Sequence, residues 1–207
     1  MYNADMPFER LLADLPDVLT EDPAFVDELI SHTRIITLKK GDLLLRSGEL
    51  CKDAYFINKG LFVNIFITET GKNCVTGFSS DYQFPFLSEI GYFTKTASDF
   101  EIKALEDSEL LCFSREFIED LSLRYPFFAS YYQTVMLKII SKFYMMFAIL
   151  QTYTAEEFIM YLYEHYKWII LRVPDKYIAL YMGISTSWYC KLKKKIFSFS
   201  KNTLLED

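Results

Sequence analysis

Histidine is nearly missing from this sequence: His32 and His165 are the two among 207 residues, and neither falls in the strand-like middle of the chain. A jelly-roll metalloenzyme needs several histidines or carboxylates converging inside its barrel, so that class is excluded. Cysteine is also sparse. Cys51, Cys74, Cys112 and Cys190 stand far apart and match neither a CxxC nor a metal-finger spacing, which fits free thiols in a reducing cytoplasm. There is no nucleophile paired with a base and no phosphate-cradling glycine loop, so no enzymatic activity is expected and no metal site is assigned. The N-terminus lacks a basic segment followed by an apolar run, and no signal peptide is expected. The most apolar stretch, Val135 to Leu150, is interrupted by Lys138, Ser141 and Lys142, which argues against a membrane span.

What the chain does have is aromatic residues, 19 Phe and 15 Tyr. Much of this surface falls in helical stretches that one chain has difficulty covering, which suggests a subunit interface. The net charge of −6 is unevenly spread. Residues 172–201 carry Arg172, Lys176, Lys191, Lys193, Lys194, Lys195 and Lys201 against Asp175 alone, whereas the body before them is strongly acidic. Only a tip that approaches phosphate needs such a basic excess.

Residues 1–33 read as short helices broken at Pro16 and Pro23. From Arg34 to Phe113 short apolar runs alternate with turns at Gly41, Gly48, Gly60 and Gly71, the pattern of an antiparallel β-roll or jelly roll. Ile102–Leu105 and Glu109–Phe113 form the expected closing hairpin. A roll of this kind is usually a container for a small ligand. Ser114 caps a short helix, and Pro126 fits the first turn of a long one. Along it, Phe128, Tyr132, Val135, Ile139, Phe143, Met146 and Leu150 recur as a coiled-coil-like seam. These seven are assigned to a dimer interface. A second set, Phe127, Tyr131, Met136, Ile140, Tyr144 and Phe147, covers the neighbouring face. The helix must therefore bury two sides over roughly 39 Å, one on the β-roll and one on a partner subunit. Thr154-Ala155-Glu156-Glu157 is a capping box that opens the next helix. The fold class is thus α+β: residues 1–125 a β-roll sensor domain, 126–151 a long dimerisation helix, 152–207 a C-terminal helix-turn-helix domain.

The helix-turn-helix is read over Val173–Lys195. Ala179 is small where two helices cross, and Gly183 four residues later supplies the positive φ of a tight corner. Tyr189 and Leu192 then face back onto Ile178 and Ala179. Ser185, Thr186, Ser187, Cys190, Lys191 and Lys194 are left outward, small hydrogen-bonding groups followed by cations, as a major groove requires. The competing reading is a helical hairpin whose lysines complement the macrodipole.

This order of parts resembles the Crp/Fnr superfamily of bacterial transcription regulators over nearly the full length. Lys40-Gly41-Asp42-Leu43-Leu44, Ser47-Gly48-Glu49 and Asp53–Gly60 are similar to its early β-roll signature. Ala104–Leu110 is similar to its closing hairpin, and Val173–Lys195 to its DNA-binding helices. The resemblance implies a cytoplasmic homodimer that binds double-stranded DNA, with RNA polymerase and an unknown small-molecule effector as further partners and no membrane. The alternative is a sensor or interaction module with a degenerate helix-turn-helix that does not bind DNA. The resemblance puts the ligand pocket at Ser88, Glu89, Ile90, Gly91 and Ser98, with Glu89 in the ribose-binding place. It also exposes a departure: Ser88 replaces the first glycine, and Ala97-Ser98-Asp99-Phe100-Glu101 stands where the phosphate-binding arginine belongs. No cofactor is therefore expected, cyclic nucleotide included, because a buried phosphate needs a paired cation. An iron–sulfur sensor needs clustered N-terminal cysteines, and none precedes Cys51. After Lys195 only Ile196–Asp207 remain, too few for an ordinary winged β-hairpin, so a truncated wing is expected.

Overall fold

The computed structural model describes residues 7–68 and 70–203, with side chains up to residue 197. The outer ends of the first and last expected domains, residues 1–6 and 204–207, lie outside the described residues.

Three short helices lead the chain: α1 Glu9–Asp14, α2 Asp17–Thr20 and α3 Pro23–Ser31. Asp22 starts α3 by accepting from the Ala24 and Phe25 N–H groups, with Pro23 at the first helical position. The glycine-punctuated region folds into strands β1 Arg34–Leu38, β2 Leu43–Leu45, β3 Asp53–Lys59, β4 Leu61–Ile67, β5 Asn73–Ser80, β6 Phe86–Leu87, β7 Phe100–Ala104 and β8 Ser108–Ser114, with helix α4 Ile90–Thr94 between β6 and β7. They form two four-stranded sheets, β1-β8-β3-β6 and β2-β7-β4-β5, in which neighbouring strands run antiparallel. The expected β-roll is present.

Strand β4 is covered on both faces because its alternate residues enter different cores. Phe62 joins Ile57, Ile102 and Leu110 inside the roll. Leu61, Val63 and Ile65 instead pack with β5 and the C-terminal helices α7 Ala155–His165, α8 Lys167–Arg172, α9 Asp175–Tyr181 and α10 Thr186–Thr203. The C-terminal helices therefore share one apolar core with the outer face of the sheet. Arg172 fastens this packing: its guanidinium lies 2.7 Å from Asp81 Oδ1 and 2.7 Å from Glu106 Oε2, and Trp168 Nε1 donates to Gln83 Oε1 at 2.8 Å. Arg172, which by position belongs to the basic segment 172–201, is thus spent on the acidic body.

Helix α5 Arg115–Arg124 is capped by Ser114, which accepts from the Phe117 N–H, and leads into α6 Pro126–Thr152. By length and composition α6 could cross a bilayer. Its inner side packs on the rest of the chain, and here the seam expected to meet a partner needs correction. Phe128, Val135 and Met146 are buried within the protomer. Phe128 joins Phe25, Leu121 and the N-terminal helices, with Tyr132 packed beside it. Met146 joins the sheet and C-terminal helices, with Leu150 against the same cluster. The side left bare takes Ile140, Tyr144 and Phe147 from the neighbouring set, 63%, 76% and 61% exposed, and adds Leu137, 64% exposed and in neither set, while Tyr131 and Met136 of that set are partly buried and Phe143 of the seam stays 45% exposed. Both stripes are apolar at heptad spacing, so periodicity alone could not choose between them; the position of the sheet did.

Candidate sensor cavity and nucleic-acid interface

A cavity of about 580 Å³ opens between the roll and α6. It is lined by Asn64 of β4, Thr76 of β5, Ser88, Glu89, Ile90 and Phe93 at and in α4, and Phe100 of β7. Met136, Ile139, Ile140 and Phe143 of α6 close the remaining side. Glu89 is 5% exposed and begins α4, its Oε2 accepting from the Gly91 N–H at 2.7 Å. Gly91 has to be a glycine: a Cβ there would lie 2.8 Å from Glu89 Oε2 and 2.8 Å from the Thr96 carbonyl oxygen. The other carboxylate oxygen, Glu89 Oε1, and the side-chain oxygen Asn64 Oδ1 are buried without a hydrogen-bond partner.

No lysine or arginine is among the residues lining this cavity. Lys95 is turned to Glu119, 3.3 Å away. Lys142, next to Phe143, is engaged outside the lining: its ammonium donates to the Phe78 carbonyl at 2.9 Å and lies 3.7 Å from the Phe84 ring centroid. Burial pushes the Lys142 pKa down to about 7, although the carbonyl and the ring both favour the charged form.

At the other end of the molecule α9 and α10 cross tightly. Gly183 takes φ +67°, and the turn is tied by the Ile184 N–H donating to the Ala179 carbonyl at 3.0 Å. Ser185 caps α10, its Oγ accepting from the Trp188 N–H at 3.2 Å. Ile178, Ala179 and Tyr189 are completely buried and share one core with Leu192. Lys193 Nζ pairs with Asp175 Oδ1 at 2.7 Å and Lys195 Nζ with Glu156 Oε1 at 2.7 Å, pinning α10 to α9 and α7.

A cyclic nucleotide-binding domain model matches residues 35–125. Among solved structures, FixK2 from Bradyrhizobium japonicum aligns with a TM-score of 0.70 at 12% identity, covering 81% of this chain and 86% of that one. A protein from Eubacterium rectale, assigned to the Crp/Fnr family of transcriptional regulators, aligns with a TM-score of 0.69 at 12% identity, covering 90% and 88%. The c-di-GMP-responsive global regulator CLP of Xanthomonas campestris gives 0.66 at 14% identity, covering 86% and 93%. The chain has the Crp/Fnr fold. Comparison with curated proteins finds no match.

Within the Crp/Fnr fold the expected site residues divide. Ser88, Glu89 and Ile90 line the cavity. Gly91 and Ser98 are buried behind it; Ser98 Oγ is occupied by Phe100, donating to its carbonyl at 3.0 Å and accepting from its N–H at 2.9 Å. Their placement in the pocket is corrected to a supporting role. Asn64, Thr76, Phe93, Phe100 and Met136 were not among the expected pocket residues; the pairing of β4 with β5 and β7 and the docking of α6 bring Asn64, Thr76, Phe100 and Met136 together with α4, which carries Phe93. On α10, Ser185, Thr186, Ser187, Lys191 and Lys194 are exposed. Cys190 is not: half-buried, it turns its thiol to Asp175 Oδ2 at 3.5 Å, since it neighbours Tyr189 and sits on the edge of the packed face. Trp188, 49% exposed, takes an outward place in the first turn. Among the described residues the chain continues past Lys195 as helix to Thr203, with no strand, so the truncated wing is replaced by a longer α10.

Proposed function

We propose that the chain is a homodimeric DNA-binding regulator of transcription, acting in the cytoplasm, with residues 1–125 as sensor, 126–151 as dimer helix and 152–207 as DNA-binding domain. The observation that carries this reading is α10. Its buried side fixes it on α9, while Ser185, Thr186, Ser187, Lys191 and Lys194 stay exposed. Small polar groups at a helix N-terminus reach base edges, and lysines farther along reach phosphates. A second copy supplies the matching half: the bare α6 stripe of Leu137, Ile140, Tyr144 and Phe147 pairs with itself about a two-fold axis, holding two α10 helices at half-sites about one DNA turn apart. The cavity touches the same helix through Ile140 and Phe143, so an effector held there shifts the pose of the two helices. RNA polymerase is a further expected partner.

The test is an electrophoretic shift of promoter fragments across a salt series. The wild type is expected to lose affinity steeply with salt. Lys191→Ala/Lys194→Ala should make the log–log slope shallower by about 0.9 for each phosphate the variant no longer neutralises. An unchanged slope would overturn the assignment and favour a sensor module that does not bind DNA.

A further inference from the structure

We infer that the cavity between the roll and α6 takes a small, mainly apolar molecule that presents hydrogen-bond donors, an amine or a hydroxyl, and carries no anionic group. The inference rests on reading residues 1–125 as the effector domain, and adds the chemistry of the effector.

Three observations converge on this. The cavity holds about 580 Å³, room for a compact organic molecule, and most of its wall is aromatic or aliphatic, with Phe93, Phe100, Ile139 and Phe143 among the lining residues. The fully buried side-chain atoms that its lining residues leave without a partner are acceptors, Glu89 Oε1 and Asn64 Oδ1. An orphaned buried acceptor costs free energy that a ligand donor recovers, so occupancy by a donor is favoured and occupancy by another acceptor is opposed. Finally, charge selects against anions. Glu89 is the one ionisable residue of the lining; of the cations that flank the lining in sequence, Lys95 pairs with Glu119, Lys142 donates to the Phe78 carbonyl, and Lys138 is exposed and not among the lining residues. A phosphate or carboxylate would meet a carboxylate with no countercharge. Of the α4 N–H groups, that of Gly91 is taken by Glu89 itself.

The alternative occupant of an apolar hollow beside an exposed helix is the second copy of the chain. The bare stripe that a second copy would bring is apolar at Leu137, Ile140 and Phe147, with one hydroxyl at Tyr144, so that stripe by itself cannot answer both acceptors.

The test uses full-length protein and three probes on one indole body: tryptamine with an ammonium, tryptophol with a hydroxyl, and indole-3-acetate with a carboxylate, with cyclic AMP as a fourth. Isothermal titration calorimetry should give binding for tryptamine and tryptophol at least tenfold tighter than for indole-3-acetate, and none for cyclic AMP. Glu89→Gln keeps an acceptor for the Gly91 N–H and so the α4 cap, but removes the charge. It should weaken tryptamine at least tenfold and tryptophol no more than about threefold. Tighter binding of indole-3-acetate or cyclic AMP, an unchanged tryptamine affinity in Glu89→Gln, or no binding by either donor probe would overturn the inference. The salt-dependent DNA shift without any probe tests the regulator reading separately, so the two can fail independently.

Discussion

Helices α6 and α10 are both amphipathic and both central to the proposed function, yet they differ in how far their own residues settle their orientation. On α10 one face is apolar, through Tyr189 and Leu192, and the other is polar or basic apart from Trp188, so one rotation about its axis hides most of the apolar side. On α6 two adjacent stripes are apolar. Phe128, Val135 and Met146 go inside, and Leu137, Ile140, Tyr144 and Phe147 stay outside, although by composition either could have done either. A helix with a single contrast orients itself; a helix without contrast is oriented by what it docks on.

Removing the contrast should have the largest effect. Tyr189→Ala opens a cavity in the core shared by α9 and α10 and is expected to cost about 3–5 kcal/mol in urea denaturation. Tyr144→Ala, with the same change of side chain on the bare side of α6, should leave the stability of the isolated subunit within about 0.5 kcal/mol. Equal losses at the two positions would break the comparison.

Next in size is the charge on the hidden side of α6. The unfolded chain keeps the Lys142 ammonium to about pH 10.4, whereas in the fold burial brings its pKa down to about 7. Between those values the unfolded state holds the extra proton, so stability should rise with pH through this window, by roughly 2–4 kcal/mol once the opposing carbonyl and ring interactions are allowed for. Lys142→Met should flatten that rise in melts taken from pH 6.5 to 10. A slope that survives the substitution would show that another group carries it.

The outer stripe is probed by association. Ile140→Asp should shift the subunit to monomer in sedimentation, raising the dimer dissociation constant a hundredfold or more, about 2.7 kcal/mol. Phe128→Asp should instead unfold the subunit, because it buries a charge beside Phe25 and Leu121. The smallest effect sharpens the α10 side: the Tyr189 hydroxyl is buried without a partner, so Tyr189→Phe should stabilise by about 1 kcal/mol. A loss instead would show that the hydroxyl is bonded in solution.

Much of the site was legible wherever the signal was local. Gly183, Ala179, Tyr189 and Leu192 could be placed from spacing, because a tight turn and a helical period act over a few residues. The segment Ser88–Gly91 was singled out through its likeness to a known pattern, and Ser88, Glu89 and Ile90 of it line the cavity. Asn64, Thr76 and Phe100 were not readable: they sit on three strands, and a register shift between Asn64 and Ile65 changes which side chains face the hollow. Nor could the basic run be counted as one patch. Arg172, Lys193 and Lys195 are drawn into ion pairs with Asp81, Asp175 and Glu156, acids up to 91 positions away.

The sequence by itself determined the order of elements, the β-roll, the capped helix starts and the inner and outer faces of α10, since each follows from propensity, turn chemistry and periodicity within one short segment. The tertiary structure alone decided which stripe of α6 is bare, which lysines reach solvent and what lines the cavity. Those outcomes depend on distant groups competing for the same side chain, and the winner is set by burial and pairing across the fold.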